Sequence, residues 1–270
     1  LTPMWDSDLN NLIAAQGKYR SFNLDYSLLE KNRVENYEKI FNYKSSIGNN
    51  PFYIITDYFK DKHGEIIADL FRDLPFLTGG SGLPYHLARQ HSSQHETSIK
   101  KEKNPGAKGR TLILAGSCSM ATRAQIERYK KDGGISVEID PAGILESKTD
   151  SSYYSDFIIK NTGADVLIHT PSKILNNGTH DFSSILENTL AEIAYNAVKD
   201  GIKKIIVAGG ETSGAVAGKL GFDTYLIAGS VAPGVPVLIP VERDDMRVVY
   251  KSGNFGQENF FIRAIAAAAE

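Results

Sequence analysis

Thr111-Leu112-Ile113-Leu114-Ala115 is a nearly unbroken apolar run that passes into Gly116-Ser117-Cys118-Ser119, and a polar stretch with helical character follows over 122–131. A strand that is apolar at successive positions is covered on both faces, as happens in a parallel sheet. The same grammar recurs downstream. Residues 135–139, 165–169 and 204–208 read as strands, and 182–198 and 213–220 as helices. The alternation predicts an α/β fold: two domains built on mostly parallel sheets covered by helices on both faces. Towards the end, 225–227, 235–238 and 247–250 read as strands joined by turns, and 265–270 as an alanine-rich helix end.

Upstream, Leu9, Leu12 and Ile13 recur at helical spacing, with Ser7 or Asp8 placed as N-cap. Residues 51–56 and 74–78 read as strands. A helix is expected over 66–71, and a second opens at Gly79-Gly80-Ser81-Gly82 and runs through Leu87. Residues 91–110 are almost devoid of apolar side chains and read as a linker. The domains are therefore expected at 1–105 and 110–270.

Composition narrows the partners. The 270 residues carry 30 Lys and Arg against 32 Asp and Glu, a net charge of -2. That balance argues against a chain built to coat nucleic acid or an anionic bilayer. No stretch approaches the ~20 consecutive apolar residues of a membrane span. A single cysteine, Cys118, excludes an internal disulfide and a zinc site of several thiolates. The expectation is a soluble, cytoplasmic protein. It opens at Leu1 inside an organised segment, with no secretory leader, and reads as a piece of a longer chain.

The turns carry the chemistry. Thr78-Gly79-Gly80-Ser81-Gly82, Ala115-Gly116-Ser117-Cys118-Ser119 and Ala208-Gly209-Gly210-Glu211-Thr212-Ser213-Gly214 each lead from a strand into a helix. Lys251-Ser252-Gly253-Asn254-Phe255-Gly256 follows the last strand. Glycines allow close backbone approach, and free N–H groups at a helix start attract phosphate oxygens. One such turn means little; four in one chain point to an anionic ligand. No Gly-x-x-x-x-Gly-Lys-Ser/Thr loop, Gly-x-Gly-x-x-Gly after a strand or Gly-x-Ser-x-Gly elbow is present. His86, His91 and His95 read as a solvated loop rather than a metal clip, because a structural site needs a fuller ligand set. Cys118 reads as a small residue in a tight turn. Lys100, Lys101, Lys103, Lys108 and Arg110 read as a solvated linker face.

Leu114-Ala115-Gly116-Ser117-Cys118-Ser119, with Thr122 and Gln125, resembles the start of the nucleotide-binding domain of the four-carbon acid sugar kinases, which act on 3-oxo-tetronate, threonate or erythronate. The turn at 208–214, Ala232-Pro233-Gly234-Val235-Pro236, the loop at 251–256 and Phe260-Phe261 are similar to that family's further signatures, in order. Leu1-Thr2-Pro3-Met4 and the turn at 78–83 resemble the later part of its substrate-side domain. Residues 17–50 match poorly. The family's N-terminal acidic motif, Ala-Asp-Asp-Phe-Thr-Gly-Ala-like, is absent, and the catalytic group is expected in that missing segment.

The resemblance implies transfer of the ATP γ-phosphoryl group to the C4 hydroxyl of a sugar acid, with Mg²⁺, and it allows a homo-oligomer. It implies nucleotide contacts from Gly209, Gly210, Thr212 and Ser213, close approach at Gly253, and Lys251 as a nearby positive charge. Ser117 and Ser119 line the facing turn. Glu211 either holds Mg²⁺ through water or bonds a ribose hydroxyl; its bland alternative is a capping carboxylate. Gly79, Gly80, Ser81 and Gly82 face the sugar acid across an interdomain cleft. The rival reading is a non-catalytic nucleotide- or sugar-phosphate-binding module.

Overall fold

The computed structural model describes residues 5–80, 82–94, 106–172 and 182–270. The chain divides into two compact units, Leu1–Lys101 and Glu102–Glu270.

The first unit runs α1 (Leu9–Gln16), β1 (Arg20–Leu24), α2 (Tyr26–Leu29), α3 (Arg33–Ile47), β2 (Phe52–Thr56), α4 (Asp61–Phe71) and α5 (Gly82–Gln94). Asp8, Asp25 and Asn32 cap the first three helices through their side-chain oxygens. β1 and β2 pair in parallel, Arg20 against Phe52 through Leu24 against Thr56. Leu24, Leu29, Ile67, Leu70, Phe71 and Leu83 form the core.

Three expectations for this unit are corrected. Residues 74–78 form no strand: Pro75 lacks an N–H for a ladder, and Leu74 and Phe76 are exposed. α4 begins at Asp61, five residues early, because Gly64 interrupts the apolar pattern without ending the helix. A Cβ on Gly64 would stand 2.3 Å from the His86 ring, so the glycine is where α4 meets α5. α5 runs on to Gln94 rather than stopping near Leu87, since polar residues without Gly or Pro do not break a helix. His86 accordingly lies buried on a helix, not in a solvated loop, with Nε2 3.1 Å from the Tyr58 hydroxyl.

The second unit runs β3 (Thr111–Ala115), α6 (Met120–Lys131), β4 (Ile135–Glu138), α7 (Pro141–Leu145), α8 (Ser151–Lys160), β5 (Val166–His169), α9 (Phe182–Lys199), β6 (Lys204–Ala208), α10 (Gly210–Leu220), β7 (Tyr225–Ala232), β8 (Val235–Pro240), β9 (Arg247–Lys251) and α11 (Phe260–Ala267). Its sheet has the order β4-β5-β3-β6-β9-β8-β7. The first five strands are parallel, and β8 runs antiparallel to both β9 and β7.

Alternation along the central strands divides the core as the sequence predicts. Leu112, Leu114, Ile205 and Val207 pack with Tyr154, Ile158, Leu190 and Val216 of α8, α9 and α10. Ile113, Ala115, Ile206 and Ala208 pack on the other face with Ile126, Phe260 and Phe261 of α6 and α11. A fully buried aliphatic side chain of this kind contributes about 1.5–3 kcal/mol. Register then fixes the functional edge: Ala115 stands level with His169 and Ala208, and Ala208 level with Lys251. Parallel strands put these carboxyl ends on one edge.

Candidate functional site

That edge gathers three of the four glycine turns. The N–H groups of Gly116 and Ser117 donate to Ala208 O at 3.0 and 3.3 Å, and the Gly209 N–H donates to Lys251 O at 2.8 Å. The turns after β3, β6 and β9 are thus stitched together by their own backbones. The fourth turn belongs to the first unit, and Ser81 of it lies outside the described residues. Gly80 is exposed, and a Cβ on it would meet nothing within 4 Å. A Cβ on Gly82 would stand 2.7 Å from the Tyr58 hydroxyl.

Glycine at two positions is forced by close approach. A Cβ on Gly116 would lie 2.0 Å from Thr212 Oγ1, and one on Gly253 would lie 2.3 Å from Ser117 Oγ. Gly209 has φ +133° and begins α10 with no side-chain cap. The opening N–H groups of that helix therefore have no partner within it and remain available to a ligand. Gly210 and Glu211 are exposed beside them. Ser213 Oγ is buried with no hydrogen-bond partner, an orphan polar atom at the same helix start. An uncapped N-terminus with such a hydroxyl fits a phosphate group.

The remaining expected residues brace the edge. Thr212 is buried with its hydroxyl against Gly116 and Gly209. Ser119 caps α6 by accepting from the Thr122 N–H, and its own hydroxyl donates to Gly253 O at 2.6 Å. Ser117 Oγ accepts from the Ser119 N–H at 3.2 Å. Lys251 is 1% exposed, underneath the loop it begins. Its Nζ donates to Thr122 Oγ1 and to Gly253 O, both at 3.0 Å. Burial away from any carboxylate pushes its pKa down to about 8.

Two braces escaped sequence reasoning as site residues. Thr122 Oγ1 donates to Gly253 O at 2.8 Å, and Gln125 Nε2 donates to Phe255 O and Gly256 O at 3.0 and 3.1 Å. Both are fully covered. Their signal is polar character at i and i+3 on the buried face of α6. Cys118 is exposed, its Sγ 3.6 Å from Arg123 Nη2. Arg123 Nη1 also donates to Thr170 O at 2.9 Å, where β5 ends. Glu211 sits in the first turn of α10, where a carboxylate favours the helix dipole. Among the described residues no group of three His, Cys, Asp or Glu could hold a metal ion.

A parallel α/β sheet whose carboxyl edge collects glycine turns and an uncapped helix start defines a class: a domain that holds phosphate-bearing ligands. The comparisons agree in kind. Residues 112–261 match the family described as the nucleotide-binding C-terminal domain, and since that is more than half of the chain, the chain belongs to this family. Similarity extends upstream as well. A 3-oxo-tetronate kinase of Haemophilus influenzae is 33% identical over 273 residues, covering 97% of this chain and 63% of that protein. One of Actinobacillus succinogenes is 31% identical with the same coverages. A solved structure from Salmonella typhimurium, provisionally named a tRNA synthase, superposes with a TM-score of 0.78 at 30% identity, covering 97% of this chain and 63% of that one. A Haemophilus influenzae structure gives 0.68 at 30% identity, covering 97% and 64%. The chain thus spans about 63% of the length of the curated relatives it matches.

Proposed function

We propose that this chain is part of an ATP-dependent kinase for a four-carbon sugar acid, 3-oxo-tetronate or a related acid such as threonate or erythronate, with the C4 hydroxyl as acceptor. The observation that carries the reading is the uncapped start of α10, set among three glycine turns on one edge of the sheet. Phosphoryl transfer asks a protein mainly to position two partners and to neutralise developing charge. The α10 N–H groups would orient the nucleotide phosphates. Ser117, Ser119, Thr122, Gln125 and Lys251 would hold the loop at 252–256 in place rather than touch the phosphates. Family membership and the names of the relatives support the same reading. Among the described residues no donor set suits a metal, and Mg²⁺ enters the proposal as a companion of the nucleotide. The acceptor side falls to the first unit, with Gly79, Gly80 and Gly82 as its candidates. The place of action is the cytoplasm.

The test is calorimetry of ATP–Mg²⁺ binding to Gly210→Trp. A Cβ there meets nothing within 4 Å, so the indole can cover the helix start without disturbing the fold. Nucleotide binding should be abolished; an affinity equal to that of the unsubstituted chain would sink the proposal. Gly253→Trp is the poorer probe, because the side chain would displace Ser117 and Ser119.

A further inference from the structure

The opposite edge of the same sheet carries a feature that the glycine turns do not use. Where β3, β4, β5 and β6 begin, a cavity of about 840 Å³ opens, with Arg110, Asp132, Asp165, Lys204, Ile262 and Ile265 in its lining. Lys204 starts β6 and Ala208 ends it. Four strand steps of ~3.3 Å put about 13 Å between the two edges.

Among the described residues the charged side chains that line the cavity have partners, with one exception, and Thr111 Oγ1 at the start of β3 is buried without one. Asp132 Oδ2 is 2.8 Å from Arg128 Nε. Asp165 Oδ1 accepts from the Thr111 N–H at 2.6 Å. The carbonyls that end α6 accept from the N–H groups of Asp132, Gly133 and Gly134. Arg110, expected on a solvated linker face, instead donates through Nη1 to Ile158 O and to Asn161 O, closing the end of α8. Lys204 is the exception. It is 6% exposed, and no hydrogen bond or ion pair reaches its ammonium among the described residues. The strand alternation sends its stem down the face shared with Ile206 and Ala208, between α6 and α11, and the side chain lines the cavity.

Lys204 thus buries its stem and presents an unpaired ammonium to the cavity, beside carboxylates that already have partners, so its charge is available to an added anion. We propose that this cavity is a second binding site, for a small anion bearing a carboxylate or phosphoryl group, with Lys204 as its charge partner. Ile262 and Ile265 of α11 give it an apolar wall, which suits a short hydrocarbon body attached to the charged group. The site is separate from the α10 helix start and does not rest on the kinase reading.

Calorimetric titration of the whole chain with inorganic phosphate and, in a separate arm, with malonate tests it and distinguishes the two chemistries. At least one anion should bind saturably, and Gly210→Trp should bind it equally well. Lys204→Met, which keeps the stem, should weaken it at least tenfold. Gly163→Phe should do the same by filling the cavity, since a Cβ on Gly163 meets nothing within 4 Å and Lys204 is left in place. No saturable binding by either anion would overturn the proposal, as would unchanged affinity in both cavity variants or loss in Gly210→Trp alone. Lys204 would then be a lysine that buries its stem and hydrates its head.

Discussion

Lys251→Met removes a charge from beneath the loop at 252–256 while keeping most of the buried stem. In the folded chain burial pushes the lysine from 10.5 down to about 8. The unfolded chain therefore binds more protons between those two values, and stability rises with pH across that window. At about 1.36 kcal/mol per tenfold change, the full effect has a ceiling of roughly 3 kcal/mol. The two hydrogen bonds from Nζ to Thr122 and Gly253 favour the charged form and pull below that ceiling. Between pH 7.5 and 9.5 the unsubstituted chain should gain up to about 2 kcal/mol relative to Lys251→Met. Urea unfolding followed by far-UV circular dichroism at the two pH values measures this, since the single tryptophan, Trp5, lies in the first unit. Taking the difference between the two proteins cancels the titration of every other group. A difference that stays flat, or falls as pH rises, would refute the placement of an uncompensated lysine under the loop.

Two further substitutions probe the stitching of the edge. Gly116→Ala drives a methyl group to 2.0 Å from Thr212 Oγ1, and should cost about 1–3 kcal/mol in chemical denaturation; adding Thr212→Ala should recover part of the loss. Thr122→Val keeps the shape but removes a donor from Gly253 O and an acceptor from Lys251, at a cost of about 1–3 kcal/mol. Hydrogen exchange at the amides of 252–256 should quicken in Thr122→Val, and unchanged protection there would count against the bracing role.

The second unit was far more legible than the first. Its central strands are apolar at every position because both faces are covered, so 111–115 and 204–208 announce themselves with no help from turns. In the first unit β1 is half exposed and lies between α1 and α2 in a stretch rich in Asn, Tyr and Lys, where alternation is blurred. The glycine turns were visible as turns, but their glycines have unlike reasons. Gly116 and Gly253 are small because another side chain occupies the space, whereas Gly210 stands open. Composition cannot separate those cases; only register can, by setting Ala115, Ala208 and Lys251 side by side. Lys251 shows the same limit. Its place beside a glycine loop suggested a charge facing a ligand, yet the last residue of a strand points alternately to one face, and this one points into the core against Phe260.

The two edges of the sheet also explain why a chain with a net charge of -2 can serve anions. In a parallel α/β unit every helix that follows a strand starts at the carboxyl edge and ends at the amino edge. Helix N-termini carry partial positive charge and C-termini partial negative charge. An anion at the carboxyl edge can thus be met by backbone alone, which is why the residues at the α10 start are glycine, glutamate, threonine and serine, with no lysine or arginine among them. At the amino edge the backbone opposes an anion, and any site there must bring a side-chain cation. Arg110 is spent on the carbonyls that end α8, and in the proposed site the cation is Lys204. The same topology that lets glycine turns suffice on one edge leaves the proposed site on the other dependent on the Lys204 side chain.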